Sequence, residues 1–162
     1  MSNKEHIEKI IENTFRIIRE VYQYQKENVK ENKGSILSKP ESRIIFPMKR
    51  DETTRVSEQE FKQIFIEQLN NEINNVIEPW NVYYSVETPT KCTHRFQQTE
   101  GLKKSARFDL TIHDENFKRI ALIEFKSNNQ GNHEKDILKL KDEVTISKNE
   151  NITDKNKEEP LR

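Results

Sequence analysis

Residues 105–127 read SARFDLTIHDENFKRIALIEFKS, and the way this stretch pairs with itself decides the fold. Along its first arm Phe108, Leu110 and Ile112 alternate with Arg107, Asp109, Thr111 and His113, the period-two pattern of a strand with one apolar face. The second arm, 119–126, is a nearly continuous apolar run, which predicts a central strand covered on both faces. Ala121, Ile123 and Phe125 share one of its faces, and Ile120, Leu122, Glu124 and Lys126 share the other. Between the arms DENFK, 114–118, is a polar turn.

A loop of two or four residues centred between Asn116 and Phe117 sets Thr111 against Leu122, Asp109 against Glu124 and Arg107 against Lys126. Directly opposed residues have Cβ atoms about 4.5–5.5 Å apart, and like charges there are destabilising. Two facing carboxylates on a sheet with an apolar back therefore ask for a cation. Lys126, two residues past Glu124 on the same face, supplies one charge, and a divalent metal would supply more.

Asp109, followed by Glu124-x-Lys126 on a hydrophobic strand and preceded by a helical glutamate, Glu60, resembles the signature of the PD-(D/E)XK nuclease superfamily over residues 57–143. Phe108 stands before Asp109 where that motif has proline. The resemblance implies an α/β fold with a restriction-endonuclease-like core, a mixed β-sheet flanked by helices, here with an extra N-terminal helix. It implies Asp109 and Glu124 as ligands of Mg²⁺ or Mn²⁺, Glu60 as a direct or water-mediated helper, and Lys126 as the cation that orients the attacking water or stabilises transition-state charge. The activity implied is hydrolysis of phosphodiester bonds in DNA. Two other readings stay open: a non-catalytic nucleic-acid-binding or assembly module with a nuclease-like fold, and a structural pairing in which Lys126 and Arg107 neutralise the carboxylates.

The chain has 162 residues, enough for one domain with a modest core, but 35% are charged and only 31% hydrophobic, so part of it is expected to stay unpacked. Net charge is zero, so any nucleic-acid face must be a local asymmetry. One lies in 91–107, where Lys91, Arg95, Lys103, Lys104 and Arg107 are opposed by Glu100 alone; basic groups beside paired carboxylates would bring a polyanion to the site. The single Cys92 excludes an intramolecular disulfide and a zinc cluster. With no apolar run near the ~18 residues of a membrane span and no leader, a cytoplasmic, membrane-free protein is expected. The Lys, Asn, Ile and Glu bias points to a prokaryote.

Ser2-x-x-Glu5 is a capping box, and Ile7, Ile10, Ile11, Phe15, Ile18, Val21 and Tyr22 follow at helical spacing, predicting a helix over 3–30 that packs on the sheet or serves as a dimer interface. A flexible connector then runs to Pro40, so 1–40 is helix plus connector, 41–146 the core, and 147–162 a disordered tail. RIIFPM, 43–48, is extended. A second helix is expected over 57–77, with Phe61, Ile64, Phe65, Leu69, Ile73 and Val76 inward and Pro79 as its stop. Glu60 there serves equally well as the Ser57 capping-box partner or as a site residue.

Residues 80–88 alternate as a core strand ending at Glu87, a secondary acidic candidate, and a long polar connection follows over 89–104. After the hairpin, 133–143 reads as a short helix with Ile137, Leu138 and Leu140 inward. Only 144–146 is left for a further strand, so a second copy or another partner is expected to complete the sheet.

Overall fold

The computed structural model describes residues 1–31, 40–47, 49–51, 53–55, 57–94, 104–126, 137 and 139–145, with 28–31, 91–94 and 104–106 described in backbone only. The order is α1 (Asn3–Glu31), α2 (Glu58–Ile73), β1 (Tyr83–His94), β2 (Lys104–His113), β3 (Arg119–Ile123), then a helical segment over 139–145, here α3. This is an α/β arrangement, but the sheet is not mixed: among the described residues it has three strands, β1-β2-β3, all antiparallel.

The hairpin register is the one its alternation predicts, with Leu110 opposite Ile123, Thr111 opposite Leu122 and Ile112 opposite Ala121, before a bulge shifts His113 onto Arg119. The turn is built by Asp114, whose carboxylate accepts from the Asn116 and Lys118 amides at 2.9 and 2.8 Å. Phe117 takes a left-handed φ of 61° there. The central strand is β2, not β3. Phe108, Leu110, Thr111 and Ile112 are fully buried, whereas every β3 residue is half-buried and the ladder stops at Ile123. Apolar content alone does not distinguish a doubly covered strand from an edge whose long side chains reach a helix, as Phe125 reaches Phe65.

β1 starts three residues later than expected and runs to His94, so 89–94 belongs to the sheet and not to the connection. Proline is tolerated at Pro89, opposite Arg107, because β1 lies at the sheet edge.

α1 opens on the expected capping box, the Ser2 amide donating to Glu5 at 2.6 Å and the Glu5 amide to the Ser2 hydroxyl at 3.3 Å. Its buried face is rotated from the expected one, running through His6, Ile10, Thr14, Ile17, Val21 and Gln25. Dedicated polar partners set that rotation. His6 bonds Glu72 of α2 at 2.8 Å and stacks on Trp80. Gln25 brackets both main-chain groups of Phe46, at 2.7 and 2.8 Å.

α2 ends at Ile73, short of the expected residue 77. The Asn74 amide closes the last turn on Asn70 at 3.0 Å, and the Asn75 side chain then accepts from Ile77. Val76 and Ile77 are left exposed, so the asparagine pair ends the helix before Pro79 is reached.

Among the described residues two clusters form the core. Ile10, Phe65, Leu69, Trp80, Val82, Leu110 and Ile112 join α1 and α2 to one face of the sheet; Ile17, Val21, Phe46 and Ile64 join the two helices to the extended segment at 43–47. Each such side chain contributes about 1.5–3 kcal/mol of burial. The last helix reverses expectation: Ile137 is exposed, while Lys139 and Glu143 face inward. Residues 144 and 145 continue that helix and do not form a strand. The expected connector at 32–39 and tail at 147–162 lie outside the described residues.

Candidate active site

Continuing the β2–β3 ladder by one pair brings Asp109 level with Glu124, but the backbones part there. The Asp109 carboxylate takes the place of the missing ladder bond, with Oδ2 accepting from the Phe125 amide at 2.8 Å. This fixes one oxygen of a half-buried aspartate at the point where β3 gives way to irregular chain.

Glu124, also half-buried, accepts from Lys139 of α3. The Lys139 ammonium donates as well to the Arg107 carbonyl at 2.8 Å and stands 5.0 Å from the centre of the Phe108 ring. Both side chains of this ion pair are 9% exposed. One helical turn on, the fully buried Glu143 accepts from Arg119, so the inward face of α3 is held to the hairpin by charge. Sequence reasoning missed Lys139. Its spacing from Glu143 is that of a solvated helix pair, and only partners distant in sequence turn it inward.

A third carboxylate lies level with these two. Glu87 stands in β1 between the Val86–Leu110 and Thr88–Phe108 pairs, beside Asp109 in register, with a left-handed φ of 52°. For a non-glycine residue that backbone costs about 1–2 kcal/mol. Its carboxylate accepts from Lys62 of α2 at 2.9 Å. That bond holds Glu87 below the usual carboxylate range against a smaller effect of burial, helped by the charges of Lys62, Arg107 and Lys139. Glu87 and Glu124 are thus set among Lys62, Lys139 and Arg107.

Glu60 sits at the start of α2 and takes a bond from the Ser57 hydroxyl, so the pair links side chain to side chain and not through the Ser57 amide. It lines a groove of about 350 Å³ with Ile44, Ile45 and Lys62. Among the described residues no three His, Cys, Asp or Glu side chains are gathered closely enough to hold a metal ion. Lys126 is exposed beyond the end of β3. Of the expected phosphate contacts, Arg107 is exposed opposite Pro89. Lys91 and Lys104 lie on β1 and β2 with side chains outside the described set, as are Arg95 and Lys103 entirely.

The donor set suits a hard divalent cation. Mg²⁺ binds through one or two carboxylates, completing its shell with water and phosphate oxygens, and needs no three-residue cage. Thr111, on the Asp109 face of β2, is fully buried, and among the described residues its hydroxyl has no hydrogen-bond partner.

Comparison with protein-family models, curated proteins and solved structures returned no match. Among the described residues no helix is long and apolar enough to cross a membrane.

Proposed function

We propose that the chain is a divalent-metal-dependent nuclease hydrolysing phosphodiester bonds in DNA, with Asp109 and Glu124 as the metal-holding pair. The observation that supports this reading is the register, whose continuation past Leu110 and Ile123 sets positions 109 and 124 level where β3 leaves the ladder. Asp109 is oriented by the Phe125 amide, so the cost of fixing its rotamer is met before any ligand arrives. When bound, Mg²⁺ or Mn²⁺ would acidify a water and neutralise charge on the phosphate. Lys126, exposed on the same strand end, orients that water or balances phosphate charge, and Arg107 makes a phosphate contact. Glu60 is assigned to the start of α2, on its bond to Ser57.

The buried Lys139–Glu124 pair favours a second reading, a non-catalytic module in which an internal ammonium meets the charge demand of the carboxylates. Thermal melts in EDTA and in Mn²⁺, with plasmid cleavage alongside, separate the two. The nuclease reading expects Mn²⁺ to raise the melting temperature of the wild type and to support cleavage, and Asp109→Asn to lose both effects. Because asparagine can still accept from the Phe125 amide, this variant should melt within a few degrees of wild type in EDTA. A wild type with no Mn²⁺ shift and no cleavage leaves the second reading.

A further inference from the structure

α1 carries a second apolar stripe that the described part of the fold leaves largely exposed. Ile11, Phe15 and Tyr22 are 39%, 53% and 42% exposed, and the partly buried Ile18 completes an alternating spacing of four, three and four residues. That spacing is the seam of a two-helix coiled coil. The buried face of the same helix is already filled by Ile10, Ile17 and Val21, so packing among the described residues accounts for Ile18 alone of the four.

The charges flanking it are self-complementary. Glu12 and Arg19 are exposed on one side of the stripe, and neither forms an ion pair among the described residues. Arg16, by contrast, is committed to Glu20 and Glu41 at 2.8 and 3.0 Å. Laid antiparallel on a second α1, with Phe15 facing Ile18 and Ile11 facing Tyr22, the helix brings Glu12 beside Arg19 of the other copy. The two-fold axis repeats the pair. A parallel arrangement sets Glu12 and Arg19 against Ile7 and Thr14, which carry no charge. Beside the stripe a groove of about 250 Å³, lined by Ile18, Tyr22, Phe46 and Phe61, lies where the opposing Phe15 would enter.

We infer that this face of α1 binds a second copy of the chain, forming an antiparallel homodimer through Ile11, Phe15, Ile18 and Tyr22 with reciprocal Glu12–Arg19 ion pairs. The inference is independent of the nuclease reading. The stripe spans three helical turns, so the contact is a small one and the dimer is expected to dissociate in the micromolar range.

Sedimentation of the full chain across concentration tests it. The wild type should pass from monomer to dimer, and Glu12→Arg should weaken the dimer by roughly tenfold or more, since it sets like charges together twice. Glu12→Arg with Arg19→Glu should restore it. Phe15→Ser should also give monomer, with unchanged helical circular dichroism because the side chain is exposed. In a Cys92→Ser background, mixing Ile11→Cys with Tyr22→Cys should give the mixed disulfide in preference to either self-linked product. A wild type monomeric at every concentration, a dimer indifferent to Glu12→Arg, or preferential self-linking of Ile11→Cys overturns the proposal.

Discussion

Lys139 ties α3 to the end of the hairpin through Glu124 on β3's continuation and the Arg107 carbonyl on β2. A single ammonium thus closes the gap that opens where the two strands separate, and in the proposed nuclease it competes with the metal for Glu124.

Removing that ammonium takes from Glu124 the ion pair it makes with α3. Lys139→Met should lower stability in EDTA by about 3–5 kcal/mol, the usual cost of breaking a buried ion pair from one side. Under the nuclease reading, Mn²⁺ should then stabilise the variant more than it stabilises the wild type, because Lys139 no longer competes for Glu124. Chemical denaturation with and without Mn²⁺ measures both effects; a loss that Mn²⁺ leaves untouched argues against a metal at Glu124.

Lys126 is proposed to act on water and phosphate and not on the metal ligands. Lys126→Met should therefore reduce cleavage by about 10²-fold or more while the Mn²⁺ shift in melting temperature persists. Loss of the shift together with cleavage would place Lys126 in support of the metal site, and retained cleavage would remove it from the mechanism.

Acid sensitivity should come in part from Glu72, far from this site. Burial pushes its carboxyl up, but the bonds from Lys9 at 2.7 Å and His6 at 2.8 Å outweigh that and hold it below the usual range. A carboxyl lowered on folding contributes stability that is complete above its unfolded value, about 4.3, and is lost as pH falls through the folded value. Glu72→Gln should flatten the fall in melting temperature below about pH 4.3, measured by melts across an acid series. An unchanged slope would assign the acid response to other carboxylates.

The hairpin and its register were legible in the sequence because each is a local pattern: alternation on β2, apolar residues on β3, and a polar turn whose length sets the pairing. Choosing the central strand was not local. β2 owes its burial to Ile10 on α1 and to Phe65 and Leu69 on α2, none of which its own residues reveal. The rotation of α1 likewise follows from Glu72 and Phe46, partners of His6 and Gln25 at 66 and 21 residues' separation. At the site, Asp109 and Glu124 stood out as facing like charges. The lysine that answers them stayed hidden because Ile137 and Leu140 made the opposite face of α3 look like the inner one.

The Gln25 bracket on Phe46 makes a helix act as a surrogate strand. One carboxamide supplies both the acceptor and the donor that a neighbouring backbone would offer, so the 43–47 segment borrows its order from α1 and not from the sheet. The Phe46 amide should then exchange with solvent only when α1 undocks, and its protection factor reports the free energy of that opening, separate from the exchange of the hairpin amides in β2.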